Sequence, residues 1–364
     1  MEVGKILKTL DGKLPEYGFS LELEQVLREY LSELCQREDL LALVQTYHDD
    51  IFENGKYTLG QTEALEEKDG REEGLLFAVM YLARYEGLDG VLARRGIPGA
   101  YKQGALPIIG ELMERNKNFY GSYGLRGMYR SGCAHYLLPD RYVLGRLTFE
   151  VTQFRGPYEV YRSKKDGSTL PVALPGYTYM ENGRQPVKGY DGPLLTPKLE
   201  QTDDEIRGYT FDSDGCLRPE PITIRASAYE KVLADGDDVL SVHIPKNGKM
   251  TPEAVDDAFA RAETFFARYY PEKNFRAYVC SSWLLDTDLR QLLPAEANII
   301  RFQSRFRTVL AGANGYSLYW HVFGVEHFAP PVELVPQNSF QAALREFVLS
   351  GNSLYNGYGY ILKK

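Results

Sequence analysis

The sequence predicts an α+β protein, with an all-helical domain over residues 1–135 and a mixed β-sheet domain flanked by helices over residues 136–364. Two observations carry this prediction. Apolar residues recur at helical spacing in the first part of the chain and alternate with polar residues from about residue 142 onward. Further on, residues 238–285 have the pattern of a strand, a loop, a helix and a second strand, which is typical of a right-handed parallel crossover.

The composition predicts a cytoplasmic protein with packed cores. The chain has 364 residues, of which 44% are hydrophobic, and two domains are usual at this length. Its net charge of −8 and the lack of a basic block disfavour nucleic-acid binding. The 4 cysteines are widely spaced and form no Cys-x-x-Cys pair, which favours reduced thiols over disulfides or structural zinc. No secretory signal pattern and no apolar run of the roughly 20 residues that a membrane span requires can be recognised.

The first domain is predicted from helical periodicity. Four segments have apolar residues at this spacing: 21–52, 72–95, 98–118 and 124–138. We expect the second segment to break near Gly87 and Gly90, and the polar, Gly-bounded stretch 55–70 to be a loop.

The second domain is predicted to begin with a half-buried strand at 142–152, followed by a hairpin partner at 158–162. The stretch 163–221 is rich in Gly, Pro and Asp, and is interpreted as an elaborated loop region over a site. Further short elements are expected as strands at 187–190, 209–211, 222–229, 317–325 and 354–362 and as a helix at 339–350.

The crossover carries the strongest local signals. Its first strand covers residues 238–244, its helix starts after Thr251 and ends at about Tyr270, and its second strand covers residues 275–285. Thr251 is a good helix cap and Pro252 suits the first turn. The intervening loop should therefore lie at the carboxyl edge of the sheet, beside a helix N-terminus, where exposed N–H groups favour an anion such as a pyrophosphate.

Several short runs carry a resemblance to a known family. In chain order they are Leu144-Gly145-Arg146-Leu147-Thr148-Phe149-Glu150, His243-Ile244-Pro245, Thr251-Pro252-Glu253-Ala254-Val255-Asp256, Phe265-Phe266, Tyr270-Pro271-Glu272, Cys280-Ser281-Ser282-Trp283-Leu284-Leu285-Asp286 and Asn298-Ile299-Ile300-Arg301-Phe302-Gln303. With these runs in this order, the chain resembles the two-domain GNAT-like acyltransferases, in which a helical N-acyltransferase N-terminal domain precedes a GNAT-like C-terminal domain. The resemblance spans nearly the whole chain.

The resemblance implies an acyl-CoA-type donor whose pyrophosphate lies on the loop of the crossover. The residues expected to bind it are Ile244, Lys246, Asn247, Gly248, Lys249 and Thr251. The usual donor loop of the family has the form Gln/Arg-x-x-Gly-x-Gly/Ala, whereas this loop has one glycine followed by the bulky Met250. This departure keeps open the alternative that the chain is a non-catalytic ligand-binding protein with a degenerate donor loop.

Two residues are candidates for catalysis. His243 stands at the end of the first crossover strand, where an imidazole could deprotonate an amine that attacks a thioester; a histidine that only holds the strand end is equally compatible. Cys280 could accept an acyl group as a nucleophile, although a cysteine in an apolar strand is more often a packing residue. A cysteine-dependent acyl-enzyme or hydrolase is therefore the last-ranked function.

A further set of residues is predicted to line the groove for donor and substrate: Ser281, Trp283, Arg301, Gln303 and His321. His321 and His327 do not have a standard metal-ligand spacing, so no metal is expected. The function predicted first is the transfer of an acyl group from a CoA-type thioester to a small-molecule amine, by direct attack in a ternary complex.

Overall fold

The computed structural model of the chain describes residues 2–55, 69, 74–126, 128–246, 248–313, 317–325 and 330–363. These residues form two compact units, Met1–Val143 and Leu144–Lys364. A helical region is followed by a mixed sheet with helices, which confirms the predicted α+β class.

The first unit is built from α-helices. In chain order they are α1 Val3–Leu10, α2 Leu21–Leu34, α3 Glu38–Phe52, α4 Leu75–Ala93, α5 Ala105–Tyr120 and α6 Met128–Tyr136. Helix α4 is the core of this unit, because every residue from 75 to 85 is buried and a helix that is apolar all round must be packed on all sides. The expected break at Gly87 and Gly90 is wrong, since α4 continues through both. Most of the predicted loop at 55–70 lies outside the described residues.

The strands belong mainly to the second unit. They are β1 Arg141–Leu144, β2 Leu147–Gln153, β3 Tyr158–Ser163, β4 Thr169–Ala173, β5 Glu200–Gln201, β6 Glu205–Gly208, β7 Ile222–Arg225, β8 Tyr229–Leu233, β9 Asp238–His243, β10 Ala277–Ser282, β11 Arg307–Leu310 and β12 Gly357–Leu362. The helical segments of this unit are α7 Pro252–Tyr269, α8 Leu289–Leu292, α9 Asn298–Gln303, a π-helix at Ser317–Phe323 and α10 Ser339–Leu349.

The predicted crossover is confirmed at the centre of the main sheet. This sheet has six strands in the order β1-β2-β9-β10-β12-β11. Strands β9 and β10 are parallel, and α7 connects them. The N-cap of α7 is Thr251, whose Oγ1 accepts a hydrogen bond from the backbone N–H of Ala254 at 3.3 Å.

The strand predicted at 142–152 is a hairpin, so this prediction is wrong in detail. Gly145 has a φ of +68°, which a residue with a side chain rarely adopts, and it turns β1 into β2. The alternation of apolar and polar residues continues through the turn, so hydrophobic periodicity alone does not reveal the turn. Residues 158–162 are also not the partner of this strand, because β3 pairs with β4 and β8 in a second sheet.

Residues 154–237 form an insertion between β2 and β9. It contains the three-stranded sheets β4-β3-β8 and β5-β6-β7. Buried aromatic side chains of the insertion, such as Phe154 and Tyr158, pack with Val239 and Val279 of the main sheet. Helix α7 covers the other face, where Phe259 contacts Phe149 and Tyr278. The main sheet is therefore sandwiched between the insertion and α7.

Further strand predictions are wrong in whole or in part. The strand predicted at 222–229 ends at Arg225, where a 3₁₀ turn at Ala226–Ala228 follows. Residues 187–190 form a turn, and 209–211 contribute only isolated bridges. Residues 317–323 form a π-helix, whose Leu318 and Tyr319 belong to one buried cluster with Leu334 and Leu344. A short apolar run in the sequence does not distinguish helix from strand. The helix predicted at 339–350 is confirmed as α10.

The last strand approaches its neighbours closely at its glycines. A Cβ at Gly357 would lie 2.5 Å from the backbone oxygen of Leu285, and a Cβ at Gly359 would lie 2.8 Å from Cβ of Phe306. None of the helices in the described ranges is long and apolar enough to cross a membrane.

Candidate active site

Strands β9 and β10 separate at their carboxyl ends. They pair at three positions only, the last being Val279 with Ser241. Beyond this point β9 still pairs with β2 as far as His243, and β10 still pairs with β12 as far as Ser282. We call the resulting opening between residues 242–244 and residues 280–282 the wedge. Its two edges are backbone that no longer pairs across the gap, which suits a ligand with amide groups of its own.

One face of the main sheet carries polar side chains next to the wedge. Side chains alternate between the two faces of a strand, so His243 and Ser241 lie on the same face as Val239, which packs against the insertion. By the same rule Ser281 lies on this face of β10 and is exposed. His243 and Ser281 therefore stand on the two sides of the opening.

His243 is held by a carboxylate from the neighbouring strand. Its Nε2 lies 2.6 Å from Oε2 of Glu150 in β2. Glu150 pairs with Ser241, and His243 pairs with Thr148, so these four side chains share one face. The side chain of His243 is 36% exposed and that of Glu150 is 16% exposed. A half-exposed imidazole with a carboxylate partner has the arrangement of an oriented base.

The predicted donor loop lies between the wedge and α7. Gly248 has a φ of +92°, which explains why the loop has a glycine there. Lys246 and Lys249 are exposed, whereas Met250 is buried, so the bulky methionine points away from the surface on which a phosphate would bind. Asn247 lies outside the described residues.

Arg146 is a further cation at this loop, and it is not among the candidate site residues predicted from the sequence. A Cβ on Gly248 would lie 3.6 Å from Nε of Arg146, so the guanidinium packs against the loop. Its Nε and Nη1 are buried, and no described residue accepts a hydrogen bond from them. Burial lowers the pKa of Arg146 from its ordinary value. Buried donors without acceptors are costly, and such an arrangement is suited to an anionic ligand.

Glu253 occupies the N-terminus of α7. Its pKa is lowered from the ordinary value because the carboxylate accepts a hydrogen bond from its own backbone N–H and one from the Thr251 hydroxyl, and because it lies near Arg301. A carboxylate and a phosphate would compete for the same positive end of the helix.

This competition predicts that Glu253→Gln increases the affinity for CoA by roughly two- to fivefold, since the substitution removes the negative charge at the helix N-terminus. Calorimetric titration of the parent and the variant with CoA at low ionic strength measures the change. Asp256→Asn, which also removes an acidic charge from the first turns of α7 but whose partner is Arg305, is the matched control. An unchanged or weaker affinity of Glu253→Gln would contradict the competition.

The remaining predicted groove residues are distributed over different environments. Trp283 lies in a 3₁₀ turn after β10 and stacks on Phe340 of α10 at 6.3 Å between ring centroids. Arg301 is exposed on α9. Gln303 is fully buried, donates to the backbone oxygen of Asp286 at 2.7 Å and accepts from Arg290 at 2.6 Å, which favours a structural role. His321 is exposed on the π-helix, where a strand was predicted.

Cys280 is buried in β10, and burial raises its pKa to about 12. Very little thiolate is present at neutral pH under these conditions, which favours packing over nucleophilic attack. Among the described residues there is no group of three or more His, Cys, Asp or Glu side chains that could hold a metal ion.

A buried acidic cluster supports the end of β10. Asp286 accepts hydrogen bonds from the backbone N–H groups of Tyr355, at 2.6 Å, and Asp288, at 3.0 Å. Burial raises the pKa of Asp286 from 3.8 to about 6. Asp288 receives two hydrogen bonds from Arg184 of the insertion, at 2.5 and 2.8 Å. The insertion is thus fastened to the segment that follows β10.

The raised pKa of Asp286 predicts a pH dependence of stability. Because the folded state disfavours the charged form, the contribution of Asp286 to stability is largest below the ordinary pKa of 3.8 and declines as the pH rises to about 6. Two pKa units correspond to on the order of 3 kcal/mol in the free energy of unfolding. Asp286→Asn should lack this decline, so its stability relative to the parent should increase between pH 4 and 7.

Urea unfolding of the parent and Asp286→Asn across this pH range measures the difference. Asp235→Asn, at an exposed carboxylate that pairs with Arg155, shows how much a surface substitution contributes. A difference between parent and Asp286→Asn that does not change with pH would contradict the assignment.

Comparisons with known proteins agree with this architecture. The family model of the GNAT-like C-terminal domain matches residues 142–361. A search of curated proteins found no match. Among solved structures, an acyltransferase variant crystallised with octanoyl-CoA shares 18% identity at a TM-score of 0.58, with both chains covered over 100% of their length.

An acyltransferase in complex with decanoyl-CoA and teicoplanin shares 18% identity at a TM-score of 0.57, and the match covers 100% of this chain and 99% of the other. A third, in complex with CoA and 10C-teicoplanin, shares 20% identity at a TM-score of 0.51 over 79% of this chain and 66% of its own. At this level of identity the structures establish a shared fold. From the family match over residues 142–361, the chain belongs to the family of proteins with a GNAT-like C-terminal domain.

Proposed function

We propose that this protein transfers an acyl group from an acyl-CoA thioester to a small-molecule amine. The observation that carries the proposal is the wedge between β9 and β10, which opens beside a cationic loop and a helix N-terminus. The solved acyltransferases with the same fold, which were crystallised with CoA or acyl-CoA, support the choice of donor.

In this proposal, the donor binds along the loop and the wedge. Its pyrophosphate lies over residues 246–250, where Arg146, Lys246 and Lys249 supply positive charge and the N-terminus of α7 supplies N–H groups. The pantetheine arm enters the wedge, where its amides pair with backbone groups of β9 and β10. Backbone N–H groups at the edge of the wedge then donate to the thioester carbonyl as negative charge develops on its oxygen.

The acyl transfer is a single displacement in a ternary complex. The amine nitrogen attacks the thioester carbon, a C–N bond forms and the C–S bond breaks. His243 takes the proton that the amine loses, and the CoA thiolate leaves and takes a proton from solvent. The contribution of the protein is to position the two reactants and to accept this proton.

Calorimetric titration with CoA, followed by measurement of the thiol released from octanoyl-CoA in the presence of glucosamine as a primary amine probe, tests the proposal. We expect binding of CoA and release of thiol that depends on the amine. The alternative is a non-catalytic ligand-binding protein with a degenerate donor loop, which the Glu253 carboxylate at the N-terminus of α7 favours. It predicts neither CoA binding nor thiol release, whereas CoA binding without amine-dependent thiol release would contradict the proposed transfer. No binding of CoA would contradict the proposed donor.

A mechanism that depends on Cys280 predicts a different result in an alkylation experiment. If Cys280 carried the acyl group, octanoyl-CoA would protect it from alkylation and an acyl-enzyme would accumulate without an amine. The burial of Cys280 and its raised pKa lead us to expect slow alkylation that does not depend on the donor.

A further inference from the structure

The side-chain contact between Glu150 and His243 specifies which nitrogen of the imidazole is available to accept a proton. A carboxylate can only accept a hydrogen bond, so the Nε2 of His243, at 2.6 Å from Glu150 Oε2, must carry a proton. In the neutral ring the lone pair is then on Nδ1. No described residue forms a hydrogen bond with Nδ1, and the side chain is 36% exposed. Nδ1 is therefore the nitrogen that is free to accept a proton from a ligand.

The strand register makes this contact specific. Glu150 does not face His243 directly but pairs with Ser241, and it reaches diagonally to the residue at the end of β9. Glu150 is the sole charged residue of β2, and the residue of β10 on this face beside the wedge is the neutral Ser281. The carboxylate is thus the charged group that the neighbouring strands direct at His243.

We infer that Glu150 is a positioning residue, whose carboxylate holds the Nε2–H of His243 so that Nδ1 takes the proton from the acceptor amine. This inference rests on the proposed acyl transfer and adds the identity of the proton-accepting atom. Glu150 itself acts through His243 and touches no reacting atom. In catalytic triads, an orienting carboxylate has the same relation to the histidine.

The first test reads the tautomer directly and does not require turnover. Long-range ¹H–¹⁵N correlation spectra of the full-length protein resolve the ring nitrogens of its 5 histidines, and the set absent from His243→Gln belongs to His243. In the parent at pH 8, we expect a single tautomer with Nε2 protonated. In Glu150→Ala, the two nitrogens should shift toward the exchange-averaged values of free imidazole. A protonated Nδ1 in the parent, or identical spectra in both proteins, would overturn the inference.

The second test is a double-mutant cycle on thiol release from octanoyl-CoA. Glu150→Ala should lower kcat by about ten- to a hundredfold while KM for octanoyl-CoA stays within about threefold. Glu150→Gln, which keeps an acceptor oxygen, should lose less. Because Glu150 acts through His243, the double variant should be no slower than His243→Ala alone. Additive losses, or a kcat of Glu150→Ala equal to that of the parent, would overturn the inference.

Glu263→Gln is the matched control. The carboxylate of Glu263 also accepts hydrogen bonds from side chains, those of Tyr278 and Lys363, but it does not contact His243. It should leave the tautomer and kcat unchanged. The two tests also separate this inference from the proposed function. A parent without thiol release refutes the acyl transfer, whereas the spectra still decide whether Glu150 fixes the tautomer.

Discussion

His243→Ala is expected to lower kcat by roughly a hundred- to ten-thousandfold, while the affinity for CoA stays within a few-fold. Removal of a positioned base typically has an effect of this size. An amine is protonated at neutral pH and must lose a proton before or during its attack on the thioester, and His243 stands at the wedge with its Nε2 2.6 Å from Oε2 of Glu150. CoA contacts the loop and the helix N-terminus in our proposal, so its affinity should change little.

The pH dependence provides a second criterion. As the pH rises, a larger fraction of the acceptor amine is already deprotonated, so the loss of the base matters less and the difference between parent and variant should shrink. Rates of thiol release from octanoyl-CoA with glucosamine, measured from about pH 6.5 to about pH 9.5, over which the ionised fraction of an amine changes, give this profile. Turnover of His243→Ala within a few-fold of the parent at every pH would make His243 a structural residue.

Arg146→Ala is expected to weaken CoA binding by about ten- to a hundredfold, because charge-assisted hydrogen bonds contribute about 1.5–3 kcal/mol. The two guanidinium nitrogens that no described residue satisfies are buried, and the guanidinium packs against the predicted donor loop. Without CoA, the thermal stability of the variant should be equal to or higher than that of the parent, because the substitution removes a partly buried cation. A lower affinity together with an undiminished stability distinguishes ligand binding from a structural role.

Titration with CoA and with dephospho-CoA identifies the phosphate that Arg146 contacts. An equal loss of affinity for both ligands assigns the contact to the pyrophosphate. Arg261→Ala is the matched control, because it removes the same charge near the β1–β2 turn, yet this guanidinium already pairs with Asp257 at 2.6 Å. A similar loss in both variants would show a general effect of charge and would contradict a specific contact.

The sequence by itself determined the local elements with the strongest signals. Helical spacing predicted the helical first part, and the cap at Thr251, with Pro252 after it, predicted the start of α7. The crossover was predictable because its strand, loop and helix follow each other directly and parallel strands require such a connection. The same local order placed His243 and the loop at 245–250 at one edge of the sheet, and the strand pairing and the start of α7 agree with this position.

Only the tertiary structure decided which distant residues lie together at the candidate site. Glu150 and His243 are separated by 93 positions, and they meet because β2 pairs with β9 across an insertion of 84 residues that carries two sheets of its own. Arg146 reaches the loop because Gly145 turns the chain within what looks like one strand. Burial likewise separates Cys280 and Gln303 from the exposed candidates. Strand register, turn position and burial depend on packing between distant segments, which the local pattern of apolar and polar residues does not encode.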